Sequence, residues 1–576
     1  MNQKLENILN VSLDATEDEL RKADSLSTGY NWRDNTWEII VKYSGSLESI
    51  RNRYNVYIKE LLNYYAIIVA DKATIELISQ EDVIDYVEKP KSLYYQIERT
   101  KTAACVGSVR ADGNILSGKG VIVGVIDTGI DIFDNAFRNS DGTTRILNIY
   151  DQTTGEKYDK QSIDEYIRLN EDLSGGTFSY DNAPGGDNIM HGTDVSYIAA
   201  GSLGVAYEAD IIAVKMGYSI NNQFPRTTSL MDAIDYIIRK AIEYRKPVAV
   251  NISYGCNYGA HNGNTLLESF IDDISKSYRC VICVGSGNEA DKAIHFGGII
   301  NTGQVQTAYL SVGEYQSAID IQIWKNYWDT IDVMLINPRG EQIGIITEGR
   351  INRYETYNTE IITLLGEPSP YNIYQEIYIN LIPKTDYILS GIWQIVLMAG
   401  SIRAGEYNIW LPSSQALGYA TAFNNPTADG TITIPATARN CIAVGAYNAY
   451  TNSYAAFSGR GFDNSIRNVN AGVKPDITAP GVDISIARQR GNDITYRNVT
   501  GTSYAVPVVT GAAALLMQWG IVMGNDRFMY GEKLKAALID GSKPVGLVGI
   551  TRNDNQPDPR TGWGAVCLKN TLNKIL

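Results

Sequence analysis

Histidine is nearly absent from this chain: 3 residues in 576, at His191, His261 and His295. Chemistry that needs an imidazole near its ordinary pKa has only those three places to reside. Cysteine is scarce as well, and 6 over this length do not make a disulfide scaffold. Cys280 and Cys283 have CxxC spacing, but they lie in the apolar run CVICVG, where residues three apart on a strand face opposite ways. A buried strand is expected there, not redox or metal chemistry. Basic residues are outnumbered, 50 against 64 acidic, and the net charge of -14 without a long basic stripe argues against nucleic acid or an anionic membrane as partner. No run of about 18 apolar residues able to span a bilayer is read. The start MNQKLENILNVSLDATEDEL lacks the basic-then-apolar order of a secretory signal, so export by the standard route is not expected. Compositional disorder is missing too: 44% of residues are hydrophobic and 20% charged, as in a folded globular protein. Abundant Tyr, Asn, Ile and Lys fit an AT-rich bacterial genome. A chain of this length holds about two to four domains.

Residues 1–96 read as a separate unit. After a polar helical lead-in come strand (from Trp37), helix (Leu47 to Tyr54), strand pair (Lys59 to Val69), helix (Ala73 to Gln80) and strand VIDYVEK. That is the split βαβ order of a ferredoxin-like α+β domain. From Val121 the pattern changes to apolar runs, VIVGVID, ADIIAVKMG, PVAVNISYG, CVICVGSGN and later CIAVGAYN, alternating with amphipathic helices. Runs apolar at every position imply strands covered on both faces, hence a doubly wound parallel α/β sheet with its site at the carboxyl ends of the strands. Residues 303–420 lose the helical period and alternate instead, which predicts an all-β, jelly-roll-like sandwich inserted between the α/β segments 97–302 and 421–576.

Three strings carry chemistry. Asp127 ends the buried strand VIVGVI at the turn Thr128-Gly129, where a carboxylate can stay ionised beside a histidine, whereas Asp131 is read as serving the turn or the surface. His191 opens HGTDVSYIAAG, a helix start with small residues for close packing, and neither His261 nor His295 has that context. Ser503 follows a glycine-led turn in GTSYAVPVVTGAAALL, and Pro507 is expected to cost little so early in a helix. A serine there could be a mere N-cap, but the helix dipole also favours negative charge at that end. Asn288 in VGSGNEA is the fourth group: its side-chain amide and the Ser503 amide could together stabilise an oxyanion. Alone it would be a turn asparagine.

The succession Asp127, His191, Ser503, with the strings VIDTGID, MHGTD and GTSYAVP, resembles the subtilase (S8) family of serine proteases and not chymotrypsin-like or α/β-hydrolase enzymes. Gly287-Asn288, KPDITAPG and FSGRG match further family strings, and the likeness covers about three quarters of the chain. It implies an Asp-His-Ser endopeptidase acting on protein or peptide substrates, with no required cofactor. Calcium is left open, since the stretch Asp151 to Asp187 has acidic residues but no contiguous ligand spacing. Substrate would add as a strand to Ser253-Tyr254-Gly255 and Gly285-Ser286-Gly287. The first 96 residues would be a propeptide that folds and inhibits the enzyme, cut by it near Gln96 and Ile97 with Leu93 to Gln96 in the non-primed subsites. Tyr504 and Val508 stand where the family often has methionine and histidine, which bears on fine specificity. The overall layout looks most like the clostridial Csp germination subtilases, implying a monomer in the cytoplasm or spore that activates a spore-cortex hydrolase. Two rival readings are a catalytically silent sensor or scaffold on this fold, and a wall-binding protein working through the inserted domain.

Overall fold

The computed structural model describes residues 2–92, 94–95, 116–170, 183–217, 224–347, 349–462, 472–490, 493–546 and 557–575. Its centre is a sheet in which Ile146–Asp151, Asp210–Lys215, Ile122–Asp127, Val248–Ile252, Cys280–Gly285 and Ile442–Asn448 lie side by side and parallel. Alternation sorts their side chains. Val123, Val125, Val281 and Cys283 enter one apolar cluster with the helices His191–Ala200 and Thr502–Met517. Ile122, Ile126, Cys280 and Ile282 enter another, with the helices Thr227–Tyr244 and Leu266–Ser277. Both faces are covered, as the uninterrupted apolar strands require.

The expectation that no segment could span a bilayer needs correcting. Thr502–Val522 is long and apolar enough by length and composition, but 89% of that window is buried in the fold. A helix apolar all round fits the centre of a large core equally well.

The amino-terminal unit has the anticipated order, Thr36–Tyr43, helix Glu48–Tyr54, Tyr57–Glu60, Tyr65–Ala70, helix Lys72–Ile78, Ile84–Glu88, with a short strand Tyr30–Asn31 added. One face of its sheet sets Ile40, Tyr65, Ile67 and Tyr86 against the helices Thr227–Tyr244 and Leu266–Ser277. The other joins Ile362, Leu364, Tyr378 and Ile382 of the inserted domain in one core. Polar contacts fasten both seams: Leu62 donates its amide to Asp235 at 3.0 Å, Leu266 at a helix start donates to Glu88 at 2.6 Å, and Arg353 of the insert reaches Asp14 at 2.8 Å.

The insert consists of two antiparallel sheets around their own apolar core. One orders His295–Ile299, Glu406–Trp410, Ile319–Asn326, Tyr374–Pro383, Thr359–Leu365 and Ile351–Glu355. The other orders Gln342–Ile343, Ile331–Ile336, Gly391–Ala399, Val305–Val312 and Ala422–Phe423. Its strands run from His295 to Phe423, so the limits 303–420 are too narrow at both ends. His295–Ile299 reads as a continuation of the catalytic loop because its glycines hide the alternation, yet it pairs with Glu406–Trp410.

Candidate active site

Asp127 and His191 face each other across a buried contact, with Asp127 Oδ1 2.6 Å from His191 Nδ1. The carboxylate also accepts the Thr128 amide at 2.8 Å. This closeness depends on glycine. A Cβ on Gly192 would lie 2.3 Å from the Gly129 carbonyl oxygen and 2.9 Å from the Asp127 Cβ. Gly129 itself has φ +129° and would press a Cβ to 2.4 Å from the Gly185 oxygen.

A residue overlooked in the sequence holds the two strings together. Asp187, fully buried, accepts the Thr128 hydroxyl at 2.7 Å, the Met190 amide at 2.8 Å, and the amide and hydroxyl of Thr193, both at 2.8 Å. Thr128 Oγ1 in turn accepts the Gly192 amide at 2.8 Å. One carboxylate thereby ties the turn after Asp127 to the helix start on both sides of His191. The only sequence signal was an aspartate four residues before His191, hidden among other acidic residues. Asp131 is buried as well and accepts the Phe133 amide at 3.0 Å, so it serves the turn and not the surface.

Ser503 is the second residue of the helix Thr502–Met517, after Gly501 with φ 149°. First-turn amides point out of the helix end and not at a helical carbonyl. The expectation for Pro507 was too lenient. Counting from Thr502 it is the sixth helical residue, and its absent amide would have met the Ser503 carbonyl. That oxygen receives the Ser253 hydroxyl instead, at 3.4 Å. Behind Ser253 stand Asn251, donating to its hydroxyl at 3.0 Å, and Thr510, donating to Asn251 at 3.2 Å. This buried relay ties the serine helix to the end of Val248–Ile252. The Tyr504 ring meets the His191 ring edge to face, centroids 5.3 Å apart.

Asn288 is oriented by its own carbonyl. Oδ1 accepts the Thr502 amide at 3.0 Å and hydroxyl at 3.1 Å, which fixes the amide's sense, and Nδ2 is buried without a protein partner. A donor is thus presented at the serine turn. The other histidines are occupied elsewhere: burial pushes His261 down to about 4 against Trp410, and His295 lies 3.0 Å from Asn408.

Of the two substrate walls, one behaves as an edge. Tyr94–Tyr95 pairs antiparallel with Tyr254–Gly255, placing the amino-terminal unit's tail along that strand. Just upstream, Lys91 exchanges hydrogen bonds with Thr227, both at 2.7 Å. The second wall is not an edge for strand addition. Ser286 already donates to Val444 at 2.9 Å and accepts from Thr433 at 3.0 Å, and the Gly287 oxygen accepts from Gly459 at 2.8 Å. Gly285-Ser286-Gly287 can line a pocket but offers no free ladder. Leu93, Gln96 and Ile97 lie outside the described residues. Among the described residues no group of three or more His, Cys, Asp or Glu side chains is placed to hold a metal ion. Within the acidic stretch considered for calcium, 171–182 are not described. A separate cavity of about 590 Å³ includes Arg439, Arg460, Lys474 and Lys535 in its wall, but both lysines are engaged by Asp476, at 2.7 and 2.9 Å.

The profile described as Subtilase family matches residues 118–368 and 404–564, and the Csp protease B prodomain profile matches residues 3–91. Among solved structures, the CspB protease of Clostridium perfringens is 34% identical, covering 82% of this chain and 96% of its own, with a TM-score of 0.74. Among curated proteins, the subtilase-type proteinase RRT12 of Saccharomyces cerevisiae is 33% identical over 128 residues, 22% of this chain and 23% of its own. The subtilisin-like protease 10 of Arthroderma otae is 34% identical over 120 residues, 21% of this chain and 27% of its own. The matches thus span about a quarter of those two curated relatives.

Proposed function

Because the chain belongs to the subtilase family and carries a prodomain of the Csp protease B type, we propose that it is a serine endopeptidase in which Ser503, His191 and Asp127 form the catalytic triad. His191 Nε2 takes the Ser503 hydroxyl proton as Oγ bonds to the substrate carbonyl carbon. Asp127, on Nδ1, holds the tautomer and stabilises the imidazolium. The tetrahedral oxyanion is held by Asn288 Nδ2 and the Ser503 amide. Collapse breaks the C–N bond as His191 returns the proton to the leaving amine, and water releases the acyl group by the same route. The observation that carries this reading is the buried 2.6 Å contact between Asp127 and His191, joined by an Asn288 amide whose only unpartnered atom is a donor.

The first substrate in this reading is the chain's own prodomain. Its tail on Tyr254–Gly255 supports entry of Leu93 to Gln96 into the non-primed subsites, cleavage near Gln96 and Ile97, and inhibition until the tail leaves. The layout shared with Csp subtilases supports activation of another protein, such as a spore-cortex hydrolase, by a monomer in the cytoplasm or spore. The reaction calls on no cofactor.

Comparison of Ser503→Ala with the natural chain tests this. A mature fragment starting near Ile97 and labelling by a fluorophosphonate are expected of the natural chain only. If both proteins stay full length and neither is labelled, the silent-scaffold reading takes its place.

A further inference from the structure

Met190, directly before His191, is held in a left-handed conformation, φ 67°, that a residue with a side chain adopts only when its surroundings insist. Its amide is fixed by Asp187. Its carbonyl is gripped from elsewhere: Arg488 donates to it at 2.9 Å, Arg497 at 3.0 Å, and the Asp194 amide at 3.2 Å. Both guanidinium groups also contact the Asp194 carboxylate, Arg488 through Nε at 3.1 Å as well as a terminal nitrogen. Asp194 is fully buried, one turn into the helix that His191 begins.

The arginines come from the hairpin Ile484–Arg490 and Asp493–Val499. Ile486 pairs with Arg497 and Arg488 with Thr495, so the two arginines lie diagonally on one face of the ribbon. The ribbon ends four residues before Ser503. It therefore connects the backbone before the histidine to the turn that presents the serine.

Two cations at a helix amino terminus oppose the helix dipole, and a hairpin could be anchored to the core more cheaply by apolar contacts. We infer that Asp194, Arg488 and Arg497 form a positioning clamp for His191, fixing the carbonyl that precedes it and setting the positive field around its ring. The inference rests on the triad reading above. The charged and titratable groups facing the ring region are Asp127 from the neighbouring strand, Asp187 from the preceding loop, Asp194 on its own helix, Arg488 and Arg497 from the hairpin, and Tyr504 from the serine helix. Burial raises the Tyr504 hydroxyl, and the two arginines pull it the other way, so their field reaches the ring that meets His191 edge to face.

The test is the second-order rate of Ser503 labelling by a fluorophosphonate across pH, on the full chain, beside its thermal midpoint. Arg488→Gln and Arg497→Gln should each slow labelling about tenfold and move the acid limb upward by about half a pH unit, because a nearby positive charge is lost. Arg488→Lys keeps the charge but cannot span Asp194 and Met190, so it should slow labelling severalfold with the acid limb in place. If the glutamine variants do not fold, the lysine variant decides alone. Natural rates and an unmoved acid limb in the folded variants overturn the clamp and leave an ion pair that only anchors the hairpin. Absence of labelling in the natural chain overturns the triad reading instead.

Discussion

Asn288 offers the sharpest test of the site, because the structure separates its two ends. Nδ2 is the presented donor, while Oδ1 satisfies the amide and hydroxyl of Thr502 at the start of the serine helix. Asn288→Asp keeps the acceptor end and replaces the donor by a carboxylate oxygen. Asn288→Ala removes both. In subtilisin, loss of one oxyanion donor costs about a hundred- to a thousand-fold in kcat, or about 2.7–4 kcal/mol. Both variants should show at least that fall in hydrolysis of a chromogenic peptide, with KM little changed, and Asp should be the worse because like charge then opposes the oxyanion. Only Ala leaves the Thr502 groups without their acceptor, at about 1–3 kcal/mol, so only Ala should melt several degrees lower. An Asn288→Asp enzyme retaining kcat within about threefold would refute the oxyanion assignment. Equal melting of Asp and Ala would refute the second role.

Gly192→Ala should abolish detectable turnover and lower the thermal midpoint, since the added methyl meets the Gly129 carbonyl oxygen at 2.3 Å and the Asp127 Cβ at 2.9 Å; a variant as active as the natural chain removes the close-approach argument. Prodomain docking should weaken as pH rises from about 5 to 8. Burial raises Glu6 to about 7, Glu376 to about 8 and Asp320 to about 6, so their contribution is complete below the ordinary carboxylate range and is lost as pH climbs through those values. Buried Lys89, lowered to about 7, acts in the opposite sense, losing its contribution as pH falls towards that value. Gel filtration of cleaved protein should show more free prodomain at pH 8.5 than at pH 5.5, and Glu376→Gln should flatten that difference; equal release at both values would count against the buried carboxylates.

The triad strings and the parallel strands were legible because each rests on local rules. An apolar run such as VIVGVI must be buried on both faces, and a glycine-led turn before an apolar helix places Ser503 wherever that helix begins. Asp187, Asp194, Arg488 and Arg497 were not legible. A buried acid and an exposed one look alike in a row of letters, and Arg488 and Asp194 lie 294 positions apart. His295–Ile299 was not legible as a partner of Glu406–Trp410, because a glycine-containing edge strand has too little alternation to announce itself. The cost of Pro507 was not legible either, since the helix start at Thr502 sets which carbonyl its missing amide leaves open.

What the sequence by itself determined is the succession Asp127, His191, Ser503 in their family strings, the two-sided burial of the strands beneath them, and the existence of an amino-terminal α+β unit. These follow from periodicity and from turn chemistry acting over a few residues. Only the tertiary structure decided that the prodomain is packed between the catalytic helices and the insert, that its tail lies on Tyr254–Gly255, and that a buried carboxylate and two distant arginines hold the backbone around His191. Those contacts bring together residues far apart in the chain, and burial gives their charges meanings that composition does not contain.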